Sequence, residues 1–155
     1  MNNKILGLPF KLIIYIILFY LAPTNIYAAD LTINMLDKLN DERMIFDPKI
    51  ISIQSGDTVF WKAINRGHNV EFLKNGVPEG VEKFKSKIGK DTQFTFDVPG
   101  LYAYLCTPHK ALGMIGFVIV DNNISNYDQV VRLKYLGKSK KIAQTLLDEI
   151  FQRYQ

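Results

Sequence analysis

The chain has 155 residues, of which 48% are hydrophobic and 12% aromatic, a composition typical of one globular domain with a hydrophobic core. Its formal net charge of +4 comes from 19 basic and 15 acidic residues. Two of the basic residues, Lys4 and Lys11, belong to an N-terminal segment without acidic residues, so 17 basic and 15 acidic residues remain for the rest of the chain. That surplus is too small to predict nucleic-acid binding, for which a basic patch or stripe is expected.

The N-terminal segment has the order of features of a secretory signal peptide. Lys4 and Lys11 precede an uninterrupted apolar run at residues 12–22, and small residues follow at Ala28 and Ala29. A run of this length is too short to cross a bilayer, which takes about 20 residues. We predict a signal peptide over residues 1–28, with cleavage after Ala28 or, as a second choice, after Ala29. An uncleaved membrane anchor is the alternative.

Short strand patterns dominate the chain after this segment. Apolar and polar residues alternate at 31–35 and at 92–96, as in half-buried strands. Two β-rich runs, at 51–53 and 58–61, flank a turn at 54–57 that predicts a hairpin. Further strands are predicted at residues 44–46, 69–72, 102–106 and 115–120, and a brief lysine-rich helical turn at 81–87. Many short strands without a long helix between them predict an all-β fold, a β-sandwich.

The C-terminal tail has helical patterns instead. Ser125 is the predicted N-cap of a first helix, which Gly137 ends. Ser139 is the predicted start of a second helix, in which apolar residues recur every four positions from Ile142. We therefore predict a β-sandwich over residues 29–122, followed by two helices over residues 123–155 that pack on it.

Cys106 is the only cysteine of the chain, and His109 and Met114 follow it within eight residues. A lone thiol in an exported protein has no internal disulfide partner, so burial or metal binding must protect it. A thiolate and two imidazoles with a weak thioether are the ligands of a blue-copper electron-transfer site. The chain has one other histidine, His68, which is therefore the candidate for the second imidazole.

Three other kinds of site use some of these residues. A thiol enzyme would use Cys106 as nucleophile and His109 as base, but no acid that orients the histidine is evident. A zinc site accepts thiolate and imidazole but rarely a thioether. A copper carrier or storage protein, which hands over the ion itself, would favour exposed and exchangeable ligands. The thiol enzyme leaves His68 and Met114 without a role, and one cysteine, two histidines and one methionine held in a sandwich suggest retention of the ion rather than its transfer.

The following motifs, together with the helical tail, carry a resemblance to a known family: Gly67-His68-Asn69-Val70, residues 82–87, Pro99-Gly100-Leu101-Tyr102, and Cys106-Thr107-Pro108-His109 with Met114. With them the chain resembles the pseudoazurins, periplasmic blue-copper proteins of the cupredoxin family. The resemblance implies a Greek-key β-sandwich with one type 1 copper, bound by His68, Cys106, His109 and Met114. It also implies a periplasmic electron carrier, not an enzyme, with nitrite reductase or a similar acceptor and a cytochrome-type donor as partners. Small soluble carriers of this kind are usually monomers.

Residues beside these ligands have expected roles as well. Asn69 is placed to hydrogen-bond the Cys106 sulfur through its backbone and the Thr107 region through its side chain, while Pro108 has no N–H to offer the sulfur. In the pseudoazurins, which this chain resembles, electrons leave through the second of the two ligand histidines, here His109. The expected docking surface around it comprises Pro108, Ala111 and Leu112 as apolar members and Lys38, Arg66, Lys85 and Lys110 as a basic rim.

Overall fold

The computed structural model describes residues 30–155, so the predicted signal peptide lies outside the described residues. The described part has eight strands and two helices. The strands are β1 (Asp30–Leu39), β2 (Glu42–Asp47), β3 (Ile50–Ile53), β4 (Asp57–Ala63), β5 (Glu71–Phe72), β6 (Thr92–Phe96), β7 (Gly100–Leu105) and β8 (Ile115–Val120), and the helices are α1 (Tyr127–Val131) and α2 (Lys138–Tyr154). Neither of these helices has the length and apolar character needed to cross a membrane.

The strands form two four-stranded sheets, as the predicted β-sandwich requires. One sheet has the order β2-β1-β4-β6 and the other β3-β8-β7-β5. β1 pairs with β4, and β3 with β8, in parallel, whereas the other pairs are antiparallel. The core between the sheets includes Trp61 on β4, whose ring meets that of Tyr104 on β7 edge to face at 5.4 Å. Both side chains are fully buried, which fixes how the sheets pack.

β7 and β8 are buried at almost every position, because both faces of this pair are covered. One face contributes Tyr102, Tyr104 and Val118 to the core between the sheets. The other face contributes Leu101 and Phe117 to a second cluster, which both helices complete. The continuous apolar pattern that the sequence shows at 115–120 therefore reflects a strand covered by a sheet on one side and by helices on the other.

The predicted hairpin over 51–61 is wrong. The turn is present, and the Gln54 N–H donates to the Asp57 carboxylate at 2.8 Å. The strands on either side of it, however, enter different sheets, β3 beside β8 and β4 between β1 and β6. The turn residues predict the reversal of the chain correctly but carry no information about which strands pair.

The predicted helical turn at 81–87 is also wrong. The segment is extended and pairs with β5, since the Phe72 N–H donates to the Phe84 carbonyl at 2.9 Å and the Ser86 N–H to the Val70 carbonyl at 2.8 Å. Phe84 packs against Phe72, with 5.1 Å between the ring centroids. Core packing of one aromatic side chain thus outweighs the helix propensity of the lysines around it.

The two C-terminal helices are present, but their starts differ from the prediction, and α1 ends at Val131 and not at Gly137. Asn126, not Ser125, precedes α1, and its side chain exchanges two hydrogen bonds of 2.9 Å with the backbone of Leu101 on β7. Gly137, with φ of +54°, precedes α2, and Ser139 lies inside it. Both helices begin where the chain bonds to the sandwich, so contacts between distant residues and not local capping set their starts.

Candidate metal centre

The loop between β7 and β8 begins at Cys106 and ends at Met114, directly after one strand and directly before the next. The Cys106 N–H donates to the Met114 carbonyl at 3.0 Å, which closes the loop where the two paired strands diverge. Inside it the His109 N–H donates to the Cys106 carbonyl at 3.1 Å, and the Leu112 N–H to the His109 carbonyl at 2.9 Å. The backbone therefore holds the loop in one compact conformation.

His68 reaches the same place from the connection between β4 and β5. Gly67 before it has φ of +102°, a conformation that glycine adopts at little cost. The Gly89 N–H donates to the His68 carbonyl at 2.8 Å, so the backbone of this segment is fixed too. The His68 side chain is fully buried, 38 positions before Cys106 in sequence but beside it in space.

The potential ligand atoms of His68, Cys106 and His109 converge on one point. The two Nδ1 atoms are 3.1 Å apart, and the Cys106 Sγ lies 3.8 Å from the His68 Nδ1 and 3.4 Å from the His109 Nδ1. Ligand bonds to nitrogen and sulfur are about 2.0–2.3 Å long for an ion such as zinc, so atoms that share one ion lie about 3–4 Å apart. The three separations fit a single first-row metal ion.

Met114 and Cys106 are both fully buried and belong to the same hydrophobic cluster. His109 is partly exposed, and Pro108 before it is exposed. His68 and Cys106 thus form the buried part of the centre, with Met114 in the same core cluster as Cys106, and His109 reaches the surface. The resemblance to the pseudoazurins implies that this exposed histidine is the exit route for electrons.

Burial controls the protonation of the donor groups. It raises the pKa of the Cys106 thiol, and backbone hydrogen bonds from Asn69 and His109 oppose that rise only in part. Burial lowers the pKa of His68, assisted by the nearby His109 and opposed by the hydrogen bond to Asp37. His68 is therefore kept neutral, as a metal ligand must be, while the thiolate needs the charge of a bound cation to form.

Asn69 connects the two segments that carry the donor groups. Its Oδ1 accepts the Thr107 N–H at 2.8 Å, and its Nδ2 donates to the Thr107 Oγ1 at 3.0 Å and to the Ser86 carbonyl at 3.3 Å. The Thr107 hydroxyl donates in turn to Glu71, which forms an ion pair with Lys85 at 3.1 Å. The structure thus brings Asn69 and Thr107 together as expected, and Pro108 adds no hydrogen-bond donor.

Two acidic residues at the centre are absent from the sequence prediction. The Asp37 Oδ1 lies 2.9 Å from the His68 Nε2, and Glu71 accepts the Thr107 hydroxyl. The alternation in β1 contained a usable signal for the first, since Asp37 continues the inward-facing series of Ile33 and Met35. Glu71 had no such signal, because its role depends on a partner 36 residues away.

The expected docking residues Lys38, Arg66, Lys85, Lys110, Ala111 and Leu112 are all exposed. The charge of Lys85 is partly neutralised by its ion pair with Glu71. The loop part of this surface also bonds to the start of α2: the Lys138 N–H donates to the Ala111 carbonyl at 2.9 Å, and the Ser139 hydroxyl to the Lys110 carbonyl at 2.6 Å. The helical tail therefore supports the metal loop from outside.

The fold and these donor groups define a class of protein, and comparison with known families agrees. The model of the copper-binding proteins of the plastocyanin/azurin family matches residues 33–121, which contain all the donor groups described above. A pseudoazurin of Paracoccus pantotrophus is 37% identical over 115 residues, 74% of this chain and 79% of its own. A pseudoazurin of Methylorubrum extorquens is 30% identical over 128 residues, 83% of this chain and 84% of its own.

Solved structures give the same result. A pseudoazurin structure from Sinorhizobium is 41% identical and superposes with a TM-score of 0.75, covering 78% of this chain and 95% of that one. The chain therefore belongs to the plastocyanin/azurin family of copper-binding proteins and, within it, to the pseudoazurins. Together with the cluster of His68, Cys106 and His109, this makes the protein a blue-copper electron carrier with one type 1 copper.

Proposed function

We propose that His68, Cys106, His109 and Met114 hold the copper ion, through which the protein passes single electrons between periplasmic redox proteins. The observation that carries the assignment is the convergence of three strong donors, 3.1–3.8 Å apart, from two separate chain segments. Cys106 binds as thiolate, the two histidines bind through Nδ1, and Met114 supplies the weak fourth ligand. Bound copper supplies a one-electron couple between Cu(II) and Cu(I).

The chain's own contribution is rigidity. Electron transfer is fast when the ligands move little between the two oxidation states, because every movement adds to the barrier. The Cys106–Met114 backbone bond closes the ligand loop, and Asn69 ties that loop to the His68 segment. Burial of His68, Cys106 and Met114 also excludes water from the ligands. The donor atoms therefore have little freedom to rearrange.

Electrons enter and leave through His109, the one histidine of the cluster that reaches the surface. The proposed apolar contact area around it comprises the exposed Pro108, Ala111 and Leu112, and the proposed basic rim comprises the exposed Lys38, Arg66, Lys85 and Lys110. A partner with an acidic rim would be steered to this surface mainly through its encounter rate. We propose nitrite reductase or a similar periplasmic enzyme as acceptor, and a cytochrome-type protein as donor, with the carrier acting as a monomer and having no enzymatic activity of its own.

The compartment follows from the N-terminal segment. Residues 1–28 are proposed as a signal peptide that is removed on export, leaving the sandwich over 29–122 and the helices over 123–155 as the mature protein. The pattern of Lys4 and Lys11, an apolar run and small residues supports this. N-terminal sequencing of the protein from a periplasmic extract tests it, with a start at Ala29 or Asp30 expected.

The visible spectrum of the copper-loaded, air-oxidised protein tests the ligand assignment. We expect an intense blue thiolate-to-copper band in the natural protein and its complete loss in Cys106→Ser. Ser125→Ala, which changes a hydroxyl far along the chain from the centre, is the control and should remain blue. A colourless natural protein, or a blue Cys106→Ser variant, would contradict the assignment.

Stopped-flow reduction of nitrite reductase separates an electron carrier from a copper carrier. The carrier should transfer electrons in repeated cycles while keeping its copper in the presence of a competing chelator. Loss of copper to the chelator or to the enzyme during the reaction would instead favour copper transport or storage.

A further inference from the structure

One face of His68 points away from the other donor groups. Its Nε2 lies 2.9 Å from the Oδ1 of Asp37, near the end of β1. The His68 ring is fully buried, whereas the Asp37 side chain is 54% exposed. A carboxylate therefore contacts a buried donor group of the metal centre on one side and solvent on the other.

The backbone segments on both sides of the Asp37–His68 contact are fixed. The Asp37 N–H donates to the Asn65 Oδ1 at 2.9 Å, and Asn65 lies in the same turn that leads to His68. Both members of the pair are thus tied to one short segment. An ionised carboxylate can only accept hydrogen bonds, so the His68 Nε2 must carry the proton. The lone pair is then on Nδ1, the atom that lies 3.8 Å from the Cys106 sulfur.

A carboxylate on the outer nitrogen of a ligand histidine also changes its electronics. By accepting a hydrogen bond from the Nε2–H, the carboxylate makes the imidazole a stronger electron-pair donor to a metal. Removal of such partners in metalloproteins typically costs 10–100-fold in metal affinity or activity. The negative charge favours Cu(II) over Cu(I), because the more highly charged ion gains more from it. Solvent around Asp37 reduces this effect without removing it.

We propose that Asp37 is a positioning residue of the copper centre, which holds His68 in the binding tautomer and lowers the reduction potential through its charge. The inference rests on the ligand role of His68 proposed above. Nothing else in the centre requires an acid at residue 37, since an amide oxygen would suffice to orient the ring. The carboxylate is therefore a feature that tunes the centre.

Two substitutions separate orientation from charge. Asp37→Asn keeps an oxygen acceptor of the same shape and removes the charge, whereas Asp37→Ala removes both. Asp41→Asn removes the same charge from the exposed turn after β1 and is the matched control. The full-length mature protein is loaded with copper in each case, and potentials are measured by voltammetry at the same ionic strength.

We expect the potential to rise in Asp37→Asn and further in Asp37→Ala, with Asp41→Asn close to the natural protein. Affinity for Cu(II) should fall about 10–100-fold in Asp37→Ala. Each tenfold loss of Cu(II) affinity relative to Cu(I) raises the potential by about 59 mV for a one-electron couple. In the reduced, diamagnetic protein, NMR should show the His68 Nε2 proton exchanging slowly with solvent in the natural protein and faster in Asp37→Ala.

Two outcomes would overturn the proposal. One is a potential for Asp37→Asn equal to that of the Asp41→Asn control, and the other is an unchanged exchange rate of the His68 Nε2 proton in Asp37→Ala. Failure of the ligand assignment gives a different result, because the natural protein would then not turn blue at all. If the natural protein is blue but the Asp37 variants have unchanged potentials and proton exchange rates, only the proposed role of Asp37 is rejected.

Discussion

At the scale of single residues, Asn69 connects the two halves of the metal centre with one side chain. It is fully buried and forms three hydrogen bonds, two with Thr107 and one with the Ser86 carbonyl. Because Asn69 follows His68 and Thr107 follows Cys106, these bonds fix the two ligand segments relative to each other. The Asn69 side chain therefore holds the donor groups of the two segments in a fixed relation to each other.

Replacement of Asn69 by Ala should destabilise the metal-free protein by about 1–3 kcal/mol, because the Thr107 N–H loses its acceptor in a buried place. Chemical denaturation of the copper-free protein measures the change. Asn123→Ala is the control, since Asn123 accepts only the N–H of Ser125 in an exposed turn. Equal losses of stability in the two variants would show that Asn69 has no special role.

The sequence predicts the four proposed ligands because each belongs to a scarce residue type. One cysteine and two histidines leave little choice, and the spacing from Cys106 to Met114 fits one loop. Asp37 is harder to find, because the chain has 15 acidic residues and most acids on a strand face solvent. Alternation in β1 places Asp37 on the inward-facing side, but only the packing of β1 beside the His68 segment shows that it contacts His68.

At the scale of elements, the start of α2 and the metal loop form one unit. Gly137 comes so close to the loop that an added Cβ would lie 2.4 Å from the Ala111 carbonyl oxygen. The next residue, Lys138, donates its N–H to that same oxygen at 2.9 Å. Glycine is thus required at position 137 for two reasons: a Cβ would collide with the Ala111 carbonyl, and φ is +54°. The helical tail consequently influences the position of the loop that carries His109.

Gly137→Ala should shift the loop and cost about 1–3 kcal/mol beyond the strain of a positive φ, because backbone atoms cannot make room cheaply. Gly80→Ala is the matched control: Gly80 has φ of +84° but nothing within 4 Å of an added Cβ, so only conformational strain of about 1–2 kcal/mol is expected. Thermal unfolding measures both variants, and the blue band should change only in Gly137→Ala. Identical behaviour of the two would contradict the coupling of α2 to the loop.

The errors of sequence analysis at this scale have one physical cause. Alternating patterns correctly predict strands at 31–35 and 92–96, because alternation reports which face is buried. They do not report the partner of a strand, so β3 and β4 were expected to pair and instead lie in different sheets. Similarly, the lysines at 81–87 favour a helix until Phe84 is seen to enter the core. Long-range packing decides these cases.

At the scale of the whole molecule, we propose that exposed basic residues set the direction of docking. Lys38, Arg66 and Lys110 are exposed, and the chain has only a small net surplus of positive charge. An acidic partner is expected to be attracted to this basic rim, and so to the proposed exit through His109.

Reversal of one charge in this basic rim should slow electron transfer to an acidic partner without changing the centre itself. Lys110→Glu changes the charge beside His109 by two units. The interaction of two unit charges 4 Å apart in water is worth about 1 kcal/mol. At low ionic strength the second-order rate constant is therefore expected to fall roughly three- to thirtyfold. Stopped-flow measurements with nitrite reductase provide the rate, and the blue band should stay unchanged.

Arg153→Glu is the matched control, because it alters the net charge equally but lies 15 residues along α2 from Lys138, about 22 Å by the helical rise. Its rate constant should remain close to that of the natural protein. Added salt should bring the rate constants of all three proteins together, because interactions between exposed charges are largely screened beyond about 10 Å at 0.1 M. Equal slowing by both substitutions would mean that net charge, and not the basic rim around His109, determines the encounter.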